Sequence, residues 1–224
     1  MKVLIFGATG MVGQGVLREC LLDPGVARVV TVGRAETGQK HPKLRELAAR
    51  DLFDLSPLSS QLAAFDACFF TLGTTAAGKS EAEYSRITFD LTMSIARELL
   101  PLNPAMTFVY VSGSGTDASE RGRVMWARVK GRTENALLAL GFNGAYMFRP
   151  GLIVPMHGIT SRTRLYRVLY AIMSPLVPLI RAVFPDSVTT TERVGRAMLA
   201  VARNGYPKPR LEPVDINQAA LSTD

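Results

Sequence analysis

The sequence predicts an α/β fold, a doubly wound parallel sheet in a single domain over residues 1–224, with a small helical cap near the C-terminus. Three observations carry that prediction. Strand-like and helix-like segments alternate along most of the 224 residues, the order that right-handed crossovers wind into a parallel sheet with helices on both faces. Ala67-Cys68-Phe69-Phe70-Thr71-Leu72 is apolar almost throughout, as a strand covered on both faces must be. The chain also opens on a five-residue strand pattern, Lys2 to Phe6, that runs straight into Gly7-Ala8-Thr9-Gly10-Met11-Val12-Gly13.

That opening turn carries the strongest functional signal. Behind it, Met11, Val12, Val16, Leu17, Cys20 and Leu21 fall on one face of a helix. Strand, G-x-x-G-x-x-G turn and helix, in that order, make a site for a dinucleotide pyrophosphate. The glycines permit the tight turn and the approach of backbone to phosphate, and the free N–H groups at the helix start meet the negative charge. Gly7, Thr9, Gly10, Met11, Val12 and Gly13 are therefore cofactor-binding candidates. The second strand, Arg28 to Val32, ends at Gly33-Arg34. An NAD-selective site places an acid there, about 20 residues beyond the turn, to hold the ribose 2′-hydroxyl. Arg34 instead suits a 2′-phosphate, because a guanidinium forks onto phosphate where a carboxylate repels it. NADP(H) is expected over NAD(H), with Glu36 the nearby acid that argues the other way.

The remaining elements follow in order. A polar loop from Ala35 to Lys43 leads to a short third strand near Ala48 to Phe53, and Ser56 to Phe65 reads as a short helix. After the 67–72 strand, Ser80-x-x-Glu83 is a capping box opening a helix to about Leu100, with Tyr84, Ile87, Leu91 and Ile95 inward. Met106 to Val111 is a fifth strand, Arg121 to Leu140 a helix stopped at Gly141, and Gly144 to Phe148 a sixth strand ending at Arg149-Pro150-Gly151. Beyond Pro155 the alternation fades. Arg164 to Ser174 reads as helical, and Thr189-x-x-Glu192 caps a last helix. Residues 155–188 are expected to cover the substrate end, and the apolar 165–184 stretch is a candidate homodimer or partner-docking patch.

Composition narrows the function classes. The net charge is +7 and the pI about 9.7, with basic clusters at Arg121, Arg123, Arg128, Lys130 and Arg132 and again at Arg162, Arg164 and Arg167. No zinc-finger spacing, helix-turn-helix signature or aromatic-interleaved RNA motif accompanies them, so no specific nucleic-acid partner is expected. No 18-residue apolar run free of charge or proline suggests a transmembrane segment. Cys20 and Cys68 are the only cysteines and fall in a helix and a buried strand, which points to neither a disulfide framework nor a metal site. Met1-Lys2 leads directly into the first strand without a signal-peptide pattern, so a reducing cytoplasm is the expected compartment.

Ligands of such sheets bind at the carboxyl ends of the strands. Read there, Asp51 and Leu52 are candidates for adenine, Leu72, Gly73 and Thr74 for ribose and phosphates, Pro150 and Gly151 after the sixth strand for further cofactor contacts, and Ser112 and Ser114 for catalysis. Downstream of the serine loop, Trp126 and Lys130 stand four apart on one helix face. These residues together resemble the short-chain dehydrogenase/reductases, in their atypical NAD(P)-binding branch. The match rests on Gly7 to Gly13, the serine loop, Lys130-Gly131 and Arg149-Pro150-Gly151. More closely, the chain is similar to the Tat-interacting-protein-like oxidoreductases, through Phe184 to Ser187, Arg196 to Leu199 and Leu211-Glu212.

The resemblance implies a Rossmann domain, a nicotinamide cofactor and a small-molecule carbonyl or alcohol substrate. It also implies a role for Lys130 on the nicotinamide ribose, with Ser112 or Ser114 as the family's serine. One departure matters. Trp126 stands where the family has its catalytic tyrosine, and an indole N–H donates a hydrogen bond but is no acid or base near neutral pH. Tyr84, Tyr110, His157 or a relayed water are the replacement candidates. Two rival readings stay open: an NADPH-binding regulator without catalysis, and a nucleotide-sugar epimerase or dehydratase.

Overall fold

The computed structural model describes residues 1–159 and 187–222. Seven parallel strands form the main sheet: β1 (Lys2–Phe6), β2 (Arg28–Gly33), β3 (Leu44–Ala48), β4 (Ala67–Phe70), β5 (Thr107–Val111), β6 (Gly144–Phe148) and, after two further strands, β9 (Arg210–Leu211). Their order across the sheet is β3-β2-β1-β4-β5-β6-β9. The chain thus winds outward from β1 to β3, then returns to the other side of β1 to start β4. The turning point between β1 and β4 is where an open parallel sheet offers a crevice. A separate parallel pair joins β7 (Leu152–Val154) to β8 (Val188–Thr190).

Strand residues alternate between two cores, as a sheet covered on both faces requires. Leu4, Phe6, Phe70 and Phe108 face one layer, against Ile95 and Leu99 of α3 (Leu91–Leu102) and Leu137 of α4 (Met125–Ala139). Val3, Ile5 and Phe69 face the other. There they meet Val16 and Leu17 of α1 (Met11–Leu22) and Met198 of α5 (Thr191–Asn204). A short α6 (Pro213–Ala219) completes that layer. Directly under the crevice, the rings of Phe6, Phe70 and Phe108 stack at 5.7 and 5.8 Å between centroids. Such pairs are worth about 0.5–1.5 kcal/mol beyond their burial, and they pin β1, β4 and β5 in register.

The expected capping box is present. The Ser80 backbone N–H donates to Glu83 Oε2 at 2.8 Å, and Glu83 N–H donates to Ser80 Oγ at 3.3 Å. They open α2 (Glu81–Ser85), which continues through one wide π-type turn, Arg86–Asp90, into α3. The extra residue in that turn shifts the helical pattern. Ile87, expected in the core face, is half-buried, and Thr88 is buried in its stead.

Several boundaries differ from expectation, each for a local reason. β3 runs from Leu44 to Ala48 rather than from 48 to 53; it is an edge strand paired only with β2, and its charged outer residues give little alternation to read. The short helix expected over Ser56 to Phe65 is a 3-10 helix that ends at Gln61. α4 begins at Met125 rather than 121, because the Asp117 carboxylate accepts from Ser119 N–H at 3.0 Å and Gly122 N–H at 2.6 Å. Those bonds hold the preceding segment in turns. The cap of α5 is Thr190, whose Oγ1 accepts from Arg193 N–H at 3.0 Å, while Thr189 belongs to β8. The three- and two-residue strands β7, β8 and β9 are too short to leave a pattern. The helix expected over 164–174, the apolar 165–184 patch and the greater part of the 155–188 cap lie outside the described residues.

Two members of the first basic cluster are engaged within the fold. Arg128 pairs with Glu81 at 2.6 Å, and the Arg132 guanidinium lies 3.8 Å from the Phe89 ring centroid.

The opening turn makes a specific stability prediction. A Cβ on Gly13 would sit 2.1 Å from Gly7 O, whereas one on Gly73 would meet nothing within 4 Å. Gly13→Ala should cost about 2–3 kcal/mol, a fall in Tm of roughly 5–10 °C. Gly73→Ala should leave thermal denaturation unchanged, and equal behaviour of the two variants would contradict the packing described.

Candidate cofactor and active site

At the crevice, Gly7 takes φ +84°, a conformation that favours glycine, and a Cβ there would lie 2.6 Å from Leu72 N. This brings the β1 turn directly against the start of the β4 loop. The contact is reinforced by Thr71, whose N–H and hydroxyl both donate to Phe6 O, at 2.9 and 2.8 Å. Gly10 is the N-cap of α1 and offers no side chain, and the first turn of α1 carries no acid. The first N–H groups of a helix have no intrahelical acceptor. The amide groups of Met11, Val12 and Gly13 therefore present an uncompensated positive end, the arrangement that suits a phosphate.

In front of that helix end lies a cavity of about 550 Å³. Gly7, Thr9 and Gly10 form its floor, Arg34, Asp51 and Leu52 one end, and Leu72, Gly73 and Thr74 the opposite wall. Nine residues singled out for the cofactor thus converge on one space. The shorter β3 explains why: it ends at Ala48, so Arg50 to Phe53 form the loop beyond its carboxyl end. Asp51 Oδ1 accepts from Phe53 N–H at 2.8 Å, shaping that loop, while Leu52 is buried in the core beneath.

Two charged lining residues went unread in the sequence. Arg50 borders the same end as Arg34, and correct placement of β3 would have revealed it. Glu46 borders it too, but its carboxylate accepts from Thr37 N–H at 2.7 Å, Thr37 Oγ1 at 3.1 Å and Thr31 Oγ1 at 3.3 Å. It is engaged in holding the β2–β3 loop. Glu36 lies on the same wall and is exposed.

A second cavity, of about 400 Å³, adjoins the first at Thr74. Tyr84 of α2, Ser112 at the end of β5, and Trp126 and Lys130 of α4 line it. Lys130 Nζ donates to Ser112 O and lies 6.0 Å from the Tyr110 ring centroid. Burial lowers its pKa to about 8, opposed by the negative Glu134 one turn along α4. Lys130 is thus still mainly a cation at neutral pH.

The two serines have separate fates. The Ser112 hydroxyl is buried and donates to Glu134 Oε1 at 2.5 Å. Glu134, fully buried, also accepts from Arg149 Nη2 at 2.5 Å and Arg210 Nε at 3.3 Å. Ser112 therefore belongs to an ionic network that ties the ends of β5, β6 and β9. Ser114 is exposed, borders neither cavity, and anchors the serine loop through its N–H to Pro150 O at 2.9 Å. Pro150 and Gly151 also border neither cavity; a Cβ on Gly151 would lie 2.4 Å from Ser187 O. Of the replacement acids, Tyr110 is buried in the core with its phenol pKa pushed up by burial. His157 is exposed and its Nε2 lies 2.6 Å from Glu192 Oε2. Tyr84 alone of the three side chains borders the second cavity.

Among the described residues there is no cluster of side chains suited to a metal ion, and no helix long and apolar enough to cross a membrane.

Comparison with known proteins agrees with this geometry. The protein named fmp52-1, mitochondrial, of Aspergillus terreus is 36% identical over 158 residues. That match covers 68% of this chain and 66% of the relative, so it spans just under two thirds of the relative's length. In fold, the Bordetella bronchiseptica enzyme WbmF, solved in complex with NAD+, aligns with a TM-score of 0.67 at 16% identity, over 99% of this chain and 77% of that one. A short chain dehydrogenase family protein from Francisella tularensis aligns with a TM-score of 0.68 at 14% identity, over 97% and 98%.

The fungal relatives correct one expectation. They are named mitochondrial, which overturns the assignment to the cytoplasm. The family model for the NAD dependent epimerase/dehydratase family matches residues 3–121, more than half of the chain and the whole stretch from β1 through the serine loop. This protein belongs to that family, with the NAD(P)-binding Rossmann fold of the short-chain dehydrogenase/reductases.

Proposed function

We propose that the protein binds NADP(H) in preference to NAD(H) across the two joined cavities and is an oxidoreductase for a small carbonyl or alcohol. The observation that carries this reading is the run of one groove from Arg34 and Arg50, past the bare N-terminus of α1, to Lys130. Its chemistry suits a dinucleotide: cations at the adenosine end, amide donors for the pyrophosphate, and a lysine at the end where the nicotinamide ribose would lie. The two guanidiniums suit a 2′-phosphate; of the carboxylates on the same cavity, Glu46 is held by Thr31 and Thr37 and Asp51 accepts from Phe53 N–H, while Glu36 is exposed. When bound, the nicotinamide supplies or accepts the hydride. The protein's own residues hold it, orient it and manage the proton.

A second reading draws on Trp126 and Ser112. With an indole in the tyrosine position and the serine hydroxyl bonded to Glu134, the groove can bind NADPH and serve as a regulator without turnover. Steady-state oxidation of NADPH against aldehydes, ketones and quinones separates the two readings. Tight binding without turnover of any of them favours the regulator.

Trp126 is the only tryptophan of the chain and borders the second cavity, so quenching of its fluorescence reports cofactor binding. By that measure NADPH should bind more tightly than NADH. Arg34→Ala should weaken NADPH by about 10- to 100-fold, the worth of a charge-assisted bond, and leave NADH unaffected. Equal affinities of the unmodified protein for the two would remove the NADP assignment.

The lysine adds a pH dependence. The Lys130 pKa lies near 8, below that of an ordinary lysine, so its positive charge is present below pH 8 and lost as the pH rises through it. NADPH affinity should fall through that range, and Lys130→Met should abolish the inflection. An unmodified protein with flat binding from pH 7 to about 9 would place Lys130 away from the cofactor.

A further inference from the structure

The wall of the second cavity combines a flat aromatic surface with a positive charge. Trp126 and Lys130 share a face of α4, and both line the cavity beside the small residues Thr74 to Ala77. Among the described residues that line it, Lys130 alone is charged. A Cβ on Gly115 would meet Trp126 Cη2 at 3.7 Å, so the outer edge of the indole rests against the serine loop. The Lys130 ammonium is anchored on Ser112 O, and with a pKa of about 8 it stays a cation at neutral pH. The acid of α4, Glu134, already accepts from Arg149 and Arg210, which leaves the lysine charge to act on what the cavity holds. The nearby hydroxyls are engaged: Ser112 donates to Glu134, and Tyr84 is 2% exposed with a partner inside the fold. Such a wall favours a ligand that gains negative charge and can keep it. The alkoxide of a simple ketone is about as basic as hydroxide, whose parent water has a pKa of about 15.7, and it needs a proton in the same step. A hydroquinone is a phenol with a pKa of about 10, so its monoanion persists beside an ammonium until water protonates it.

We propose, on the reading of the adjoining groove as a nicotinamide-cofactor site, that the second cavity takes a quinone, whose ring lies against Trp126 and whose reduced form Lys130 stabilises as an anion. The quinone takes the hydride that a reduced nicotinamide supplies, which brings one proton and two electrons. Its two C=O π bonds open and the ring becomes aromatic, with one oxygen ending as O–H and the other as O⁻. A proton from water then completes the hydroquinone and leaves hydroxide. The part of the chain is to stack the ring and to hold the charge, and no side chain gives up a proton. An indole at position 126 suits that chemistry, because it offers a wide apolar face and nothing to ionise.

The test compares NADPH-dependent reduction of 1,4-naphthoquinone, 4-nitrobenzaldehyde and cyclohexanone, each corrected for its rate with NADPH in buffer alone. kcat/KM for the quinone should exceed that for the other two by at least about 100-fold, the least that a missing acid costs them. Trp126→Ala should raise KM for the quinone about 3- to 10-fold, the worth of a stacked ring. A readout without turnover uses 4-nitrophenol, whose phenolate stands in for the hydroquinone anion. Bound with NADP+, it should ionise about one pH unit lower than in buffer, and Lys130→Met should abolish that shift. A smaller margin for the quinone overturns the proposal, as does an unchanged KM in Trp126→Ala. So does 4-nitrophenol that fails to bind, ionises as it does in buffer, or keeps its shift in Lys130→Met. NADPH binding, read from Trp126 fluorescence, without reduction of 1,4-naphthoquinone overturns the quinone assignment and leaves the cofactor reading intact. Failure of the unmodified protein to bind NADPH removes both.

Discussion

The groove depends on one close backbone approach, that of the Gly7 turn to the amide of Leu72. Room for a Cβ does not exist there, since it would fall 2.6 Å from Leu72 N. On the other side of the same turn, Gly7 O leaves no room for a side chain on Gly13. β1, the first turn of α1 and the β4 loop are thereby locked into one small unit. The stack of Phe6, Phe70 and Phe108 supports that unit from below. Sterics that look local to two glycines therefore set the distance between the N-terminal end of α1 and the Leu72-Gly73-Thr74 wall, and with it the width of the first cavity.

The second half of the site depends on a buried charge. Glu134 is wholly out of solvent and accepts from Ser112, Arg149 and Arg210, and Arg149 also reaches Glu212 at 3.0 Å. An isolated carboxylate there would be very unfavourable, and even a well-paired one contributes little net stability relative to apolar packing. Its effect is on position. The network gathers the carboxyl ends of β5, β6 and β9 against α4, and so places Lys130, one helical turn before Glu134, over the end of β5. Ser112, which the resemblance offered as a catalytic group, is one of the three residues that donate to Glu134 and hold this arrangement.

The parts of this molecule that sequence reveals are those with a strong, repeated physical demand. The β1 turn announces itself because Gly7 and Gly13 admit no other residue. β4 is legible because it is apolar on both faces, and the capping box because Ser80 and Glu83 satisfy each other's backbone. The weakly patterned pieces were harder. β3 lies at the sheet edge and alternates poorly, which hid Arg50. The wide turn at Arg86–Asp90 leaves no mark in a helical pattern, yet it turns Ile87 to the first cavity. The bonds between Ser112 and Glu134, and between Glu134 and Arg210, join residues far apart in the chain, and no local spacing encodes them.

The Trp126 position shows how the same principle reaches function. Motif reading assigns roles by register along α4, and by register the proton donor is missing. A cavity is not bounded by one helix, however. Tyr84 lines it from α2, and Glu81 of the same helix pairs with Arg128 of α4 at 2.6 Å. Lys130 lines it from α4, and burial lowers its pKa to about 8. Charge acts through space and not along the chain, so below that pH the ammonium bears on whatever either helix presents to the cavity, and above it that field fades.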